Sequence, residues 1–368
     1  MKKKRGRELG IYFNGVTGMC NCISDVPGVF VGQTTLNNFS AEPVGNAQPQ
    51  VRTGVTAILP FGHDSDPKIA HAGIFALNGN GEMTGSHWIR DAGYFLGPIC
   101  LTNTHSVGMV HHATTKWMIT KYREAFARNH LWAMPVIAET YDGVLNDING
   151  QHITEQHVLD ALNSASTEPV TEGNSGGGTG MICYEFKGGT GSSSRMVNIE
   201  GSTYTIGVLV QANHGRRDWL TILGEPVGQT MRNDLILDKE SGSIIVVIAT
   251  DAPLRPDQLQ RVAKRGAIGI SRTGSPGGNN SGDIFLAFST GNARGLPQLD
   301  EAHQSMRHLN DECLDDAYQA VVEAIDESII NAMLAAEDTN TIKPEGRVCR
   351  AIDIDQLVDL LRAAGKCR

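Results

Sequence analysis

Two serines stand among glycines in this chain, Ser281 and Ser175, where a hydroxyl can act as a nucleophile. Ser281 sits near the end of Gly-Ser-Pro-Gly-Gly-Asn-Asn-Ser-Gly (274–282), just before residues 283–288, where Ile284, Leu286 and Phe288 alternate as the side chains of a strand do. Gly277, Gly278 and Gly282 carry no β-carbon, so backbone can fold closely over itself there. In such a loop Ser281 Oγ can attack the carbonyl carbon of Asn280 and form an ester, whose hydrolysis leaves Ser281 as a new chain end. Its free α-amine, with a pKa of roughly 8, then takes the proton of its own hydroxyl. The alternative is a solvated serine in ordinary Asn-Asn-Ser-Gly turn chemistry.

Ser175 lies in Gly173-Asn-Ser-Gly-Gly, which fits the Gly-x-Ser-x-Gly elbow of α/β hydrolases and resembles the nucleophile loop of trypsin-like proteases. An elbow needs a buried strand before the serine and a helix after it. Ser175 instead follows a polar stretch and precedes glycines and a strand, and a trypsin-like chain is nearly all β. The same glycines provide neither a Gly-Lys-Thr phosphate loop nor a Rossmann fingerprint. Seven cysteines include one Cys20-x-Cys22 with no second pair, and no His-Glu-x-x-His occurs. Reduced thiols are expected, with no catalytic metal and no cofactor.

The elements that must position these residues alternate in type. Residues 53–61, 97–102, 134–139, 181–186, 205–213 and 243–250 read as strands, the last being the most β-branched segment of the chain and the expected central strand. Helices are expected over 114–129, 154–162, 312–336 and 355–364, and another opens at Pro256. Several strands run into polar loops, among them Asn78-Gly-Asn-Gly-Glu, Asn103-Thr-His-Ser, Glu139-Thr-Tyr-Asp and Gln211-Ala-Asn-His. Glu139, at the end of a buried strand, is either satisfied by local amides or waits for a cation. This pattern implies α/β layers with a site along one strand edge. A polar linker is expected after residue 288, and the basic run 2–7 reads as a frayed tail.

With 368 residues, 40% of them hydrophobic and 19% charged, the chain describes a globular protein with a substantial core. A net charge of -9 argues against affinity for nucleic acid or anionic lipid. No apolar run suits a membrane span or signal peptide, so a cytoplasmic protein is expected.

Seven motifs in order carry a resemblance over nearly the whole chain: Arg52-Thr-Gly-Val-Thr-Ala-Ile-Leu-Pro, Leu77-Asn-Gly-Asn-Gly-Glu-Met-Thr-Gly, Thr102-Asn-Thr-His-Ser-Val-Gly, Ala138-Glu-Thr-Tyr-Asp-Gly, Gly176-Gly-Gly-Thr-Gly-Met, Val208-Leu-Val-Gln-Ala-Asn and Asn280-Ser-Gly-Asp. The chain resembles the L-aminopeptidase D-amidase/D-esterase family, which includes D-aminopeptidases and β-aminopeptidases. The resemblance implies a single αββα sandwich over 1–368, like that of N-terminal nucleophile hydrolases but differently connected. It implies self-cleavage between Asn280 and Ser281 into 1–280 and 281–368, a homotetramer, and removal of a small D-, L- or β-residue from the amino end of a short peptide, amide or ester. Carried over, Ser281 is the nucleophile, Asn213 the donor to the oxyanion, Glu139 the anchor for the substrate's ammonium and Tyr141 a pocket residue. Glu327 matches an acid placed near the nucleophile, but Ile325 stands where relatives carry a hydroxyl and cannot relay a hydrogen bond.

Three further readings stand beside this one: a serine hydrolase using Ser175, an acyltransferase like the ornithine acetyltransferases, which self-cleave before threonine, and a non-catalytic relative. The oxyanion assignment is testable directly. Asn213→Ala is expected to lower kcat by about 10²- to 10³-fold, the loss of about 3–4 kcal/mol of transition-state stabilisation, in a steady-state amidase assay.

Overall fold

Along Ser243–Thr250, buried at every position, side chains divide strictly between two cores. Ile244, Val246 and Ile248 enter one, and Ile245, Val247 and Ala249 the other. That alternation marks a strand covered on both faces. The structure is a computed structural model describing residues 3–38, 50–236, 242–299 and 301–368.

Its strands are β1 (Phe30–Asn38), β2 (Val51–Leu59), β3 (Ile69–Ala76), β4 (Tyr94–Leu96), β5 (Ile99–Asn103), β6 (Val136–Thr140), the short β7 (Ile182–Cys183) and β8 (Phe186–Lys187), β9 (Gly189–Ile199), β10 (Ser202–Asn213), β11 (Ser243–Thr250), β12 (Asp283–Arg294), β13 (Thr339–Ile342) and β14 (Glu345–Cys349). The helices are α1 (Ser86–Ala92), α2 (Val107–Lys121), α3 (Arg123–Arg128), α4 (Glu155–Asn163), α5 (Val227–Thr230), α6 (Pro256–Arg272), α7 (Asp315–Leu334) and α8 (Ile354–Ala363). One sheet has the order β1-β2-β5-β6 and the other β4-β3-β12-β11-β10-β9.

The two sheets face each other across a core that joins Val31, Ile58, Leu101 and Ala138 to Ile74, Leu209, Ile245 and Leu286. Helices α2 and α4 cover the four-stranded sheet through Val110, Trp117, Val158 and Leu162. On the six-stranded sheet, α6 and α7 pack through Leu259, Val262, Val321 and Ile329. The layers are therefore α, β, β and α, as the resemblance implies.

Several local expectations are corrected. The helix expected over 114–129 begins at Val107 and divides at Tyr122, whose φ and ψ of -106° and 36° are not helical. Residues 181–186 form not one strand but two short ones, linked through Tyr184 and Glu185 at positive φ. In place of a polar linker after residue 288, β12 continues to Arg294. Strand β9, Gly-Thr-Gly-Ser-Ser-Ser-Arg-Met-Val-Asn-Ile, was not foreseen because it lacks apolar alternation. Its small residues let α7 lie directly on it: a β-carbon on Gly191 would overlap Ser328 O, and Ser193 Oγ donates to Ala324 O at 2.7 Å.

The start of the chain is not a frayed tail; of the basic run only Lys2 lies outside the described residues. Lys3 Nζ donates to Ala336 O, Arg5 pairs with Glu172 at 2.8 Å, and Gly6 N donates to Asn331 Oδ1 at 3.0 Å. Arg7 reaches Glu327 at 3.0 Å, and Glu327 also binds Arg195 Nη2 at 2.7 Å and Asn21 Nδ2 at 2.6 Å. Glu327 thus fastens the amino-terminal segment and β9 to α7. Both Glu327 and Arg195 are almost wholly buried, so loss of one charge strands the other. Glu327→Gln is expected to destabilise the fold by about 3–5 kcal/mol in urea unfolding while leaving kcat of the folded fraction unchanged.

Candidate active site

Cross-strand register brings three chain segments to one level at the sheet edge. β10 and β11 are antiparallel with Asn213 opposite Ser243, and β11 and β12 are parallel with Ile244 beside Asp283. Gly282 N consequently donates to Ser243 Oγ at 3.0 Å. From the facing sheet, β6 ends at Glu139 and Thr140, and the loop after β3 carries Asn78 to Glu82 over the same edge.

Ser281 is fully buried, and its Oγ donates to Asp283 Oδ1 at 2.5 Å. Burial pushes the Asp283 carboxyl above its usual range, against the lowering effect of bonds from Ser281 and Asn78. The carbonyl of Asn280 accepts from Asn80 Nδ2 at 2.7 Å.

A third serine joins the site, one that the sequence reading counted only as the start of the central strand. Ser243 retains 7% exposure, against 0% for Ser281, and its Oγ lies 2.8 Å from the carbonyl oxygen of Gly242, to which it donates. Gly242 is pressed onto β10: a β-carbon there would overlap Asn213 O and stand 3.1 Å from His214 Cα. The signal available in sequence was the same one that drew notice to Ser281, a glycine and a serine at the entry to a buried strand. What distinguishes the two serines is the strand neighbour, which sequence does not show.

Asn213 has a fixed orientation. Its Oδ1 accepts from Ile182 N at 2.7 Å, and one Nδ2 hydrogen goes to Tyr141 O at 3.0 Å, which leaves the second for an acceptor in the adjoining pocket. That pocket is lined by Tyr141, Ile182, Asn213, His214 and Gly242. Burial pulls His214 down to about 3, so its ring is neutral there. Tyr141 remains 39% exposed, with His105 edge-on to its ring at 6.4 Å.

Glu139 is buried, and of the two kinds of partner considered for it a local amide is present, joined by a hydroxyl, with no cation among its bonded groups. Its Oε1 accepts from Glu82 N at 2.9 Å and its Oε2 from the Thr104 hydroxyl. Burial raises its pKa, the largest effect, while those two bonds oppose the rise. A β-carbon on Gly81 would lie 3.3 Å from Glu139 Oε1 and 3.5 Å from Gly282 Cα, so the carboxylate stands within a residue's width of the serine loop.

Glu327 is not brought to this site. Its partner Arg195 pairs with Ile206, seven residues down β10 from Asn213, which at strand rise is roughly 23 Å away. Ile325 is a core residue against Gly269 of α6 and replaces no hydroxyl near the serines. Ser175 begins a turn of three glycines wedged between the sheets, where Gly176 N, Gly177 N and Ser175 O are bonded to Thr35, Thr56 and Thr190. No helix follows it as an elbow requires. Cys20, Cys22 and Asp25 lie within metal-binding reach of one another, but Asp25 already accepts from two backbone amides and the Ser194 hydroxyl. No helix among the described residues is long and apolar enough to cross a membrane.

Comparison with known proteins bears on the family and the fold. The chain is 44% identical to the β-peptidyl aminopeptidase BapA of Sphingosinicella microcystinivorans over 90% of its own length and 86% of that protein's. The namesake from Sphingosinicella xenopeptidilytica is 41% identical, over 98% and 91%. Among solved structures, the L-aminopeptidase D-Ala-esterase/amidase of Ochrobactrum anthropi, described as a prototype for serine aminopeptidases and a new variant of the Ntn hydrolase fold, superposes with a TM-score of 0.94 at 52% identity, covering 99% of both chains. A Burkholderia β-aminopeptidase gives 0.88 at 43% identity, covering 98% of this chain and 99% of its own. The description "Peptidase family S58" matches residues 21–347. With that match and these relatives, the αββα sandwich is an Ntn-type hydrolase fold, and the chain belongs to peptidase family S58.

Proposed function

We propose that this peptidase is a self-processing serine aminopeptidase in which Ser243, rather than Ser281, performs the covalent work. The observation that carries this reading is the placement of Ser243 Oγ: beside the Gly242 carbonyl, opposite the oriented amide of Asn213, and next in the chain to Gly242, which lines a pocket with Tyr141 and Asn213. Attack of Oγ on the Gly242 carbonyl carbon builds charge on an oxygen that the second Asn213 N–H can meet. Collapse expels the Ser243 nitrogen as an amine and leaves an ester; water cleaves it, giving 1–242 and 243–368. The freed α-amine, with a pKa of roughly 8, then accepts the proton of its own hydroxyl in each turnover.

In turnover a short peptide, amide or ester places its ammonium against Glu139, and Ser243 Oγ attacks the carbonyl of that first residue. The leaving group departs, and water hydrolyses the acyl-enzyme. A carboxylate closing the pocket leaves no room for more chain on that side, which makes the action amino-terminal. Glu139 stands behind the loop rather than at the solvent edge, and this depth favours small residues, whether D-, L- or β-configured. The related enzymes named above act on such substrates by their descriptions. The reading includes a cytoplasmic protein, supported by seven free thiols, and a homotetramer, supported by the exposed apolar group of Val16, Met19 and Met196.

The expectation of cleavage before Ser281 remains the second reading, favoured by the Asn80 amide already bonded to the Asn280 carbonyl. Denaturing mass analysis separates the two. Fragments 1–242 and 243–368 are expected, absent in Ser243→Ala; fragments 1–280 and 281–368, absent in Ser281→Ala, establish the second reading instead.

Glu139 must be ionised to hold an ammonium. Burial holds its carboxyl above the usual carboxylate range, so below the limb set by the Ser243 α-amine kcat/KM for an amino-acyl amide is expected to fall more steeply with acid, along a second limb whose midpoint lies above that usual range. Glu139→Gln should remove this limb and raise KM roughly 10- to 100-fold, as loss of a charge-assisted hydrogen bond does. An ester without an amine should be hydrolysed equally by both proteins.

A further inference from the structure

The loop from Asn78 to Glu82 touches both halves of the site. Asn78 Nδ2 donates to Gly278 O at 2.9 Å and to Asp283 Oδ2 at 3.3 Å, while Leu77 N donates to Asp283 O at 2.9 Å. Asn80 Nδ2 holds Asn280 O. At its other end Glu82 N donates to Glu139 Oε1. Between them, Gly81 lies against Glu139 and Gly282, and a β-carbon on Gly282 would overlap Asn80 O. Four of these five residues, Asn78, Asn80, Gly81 and Glu82, therefore bear on the ammonium anchor or on the segment that donates to Ser243.

Asp283 is a buried carboxylate whose Oδ1 is taken by Ser281 and whose Oδ2 is met by Asn78. Gly282, between Ser281 and Asp283, is the residue whose N–H reaches Ser243 Oγ. Any drift of Asp283 or of the 278–281 turn thus moves the donor on the nucleophile. Asn78 bonds both through its one side-chain amide.

We propose that Asn78 is a positioning residue for the reaction: by bonding Gly278 O and Asp283 Oδ2 together it holds the Ser281–Asp283 pair and the Gly282 amide in register with Ser243. The proposal rests on Ser243 as the reacting serine. Asn78 touches no substrate, and its effect passes through Asp283. The groups facing Asp283 are the Ser281 hydroxyl, the Asn78 amide and the Ile244 backbone, and on the other side of the loop Glu139 is faced by Glu82 and His105. After scission the α-amine of Ser243 joins them.

The test begins with protein shown by mass to be cut before Ser243, so that failure of the underlying reading is seen first and separately. In that protein Asn78→Ala is expected to lower kcat about tenfold at unchanged KM, as loss of a hydrogen bond to a charged group does. Asn78→Asp sets a second carboxylate beside Asp283, which raises the pKa of the Ser243 α-amine and is expected to move the acid limb that this amine sets on kcat upward by about one pH unit. A role confined to loop stability would lower both rates with the melting temperature and leave that limb in place. An unmoved limb in Asn78→Asp, or an unchanged kcat in Asn78→Ala, overturns the proposal. If Asn78→Asp is not folded or not cut, Asn78→Thr, which keeps one donor and adds no charge, is read instead: kcat between those of the wild type and Asn78→Ala supports the proposal, and kcat equal to either one overturns it.

Discussion

Register between neighbouring strands is the constraint on which the site depends. Asn213 ends β10, Ser243 opens β11 and Gly282 immediately precedes β12, and they meet only because these three strands pair as they do. A slip of one residue in either pairing would turn Ser243 or Asn213 to the opposite face of the sheet. Hydrophobic alternation on both faces of β11 prevents that slip, since every shifted arrangement would exchange the contents of two separate cores. The core between the sheets and the core beneath α6 and α7 are therefore part of the catalytic apparatus, although neither contains a reacting group.

Close backbone approach is the second requirement. Gly242 against Asn213, Gly282 against Asn80 and Gly191 against Ser328 each occupy a position where a β-carbon would overlap another chain atom. The first two bring polar loops within hydrogen-bonding distance of the serines, and the third lets α7 settle on β9. Glycine here serves proximity more than unusual torsion, and the clustering of glycines in loops follows from how many of those loops converge on one edge.

Charges are distributed in keeping with this arrangement. At the site edge, Glu139 and Asp283 are buried carboxylates with hydrogen-bond donors but no cationic side chain among those donors. At the far end, Glu327 is saturated by Arg7, Arg195 and Asn21 and is structural. The same residue type on one strand end and one helix thus has two roles, set by whether a guanidinium is already present.

The layered α/β class, the central strand 243–250, the long helix within 312–336 and the cluster of polar strand ends were all legible in the sequence, because alternation, helical periodicity and glycine loops are local properties of the chain. Glu139, Tyr141 and Asn213 were legible as motif residues, and the structure brings them to one edge. Strand β9 was not, since its stability comes from hydroxyl bonds to β10 and α7 rather than from an apolar pattern of its own. Nor could sequence rank Ser243 against Ser281 or separate Glu327 from the site: both serines stand next to a glycine where a buried strand begins, and an acid's partners can lie hundreds of residues away. Local propensity determined what each segment of this protein is; only tertiary pairing, which joins residues distant in the chain through backbone hydrogen bonds and excluded volume, decided which of them meet.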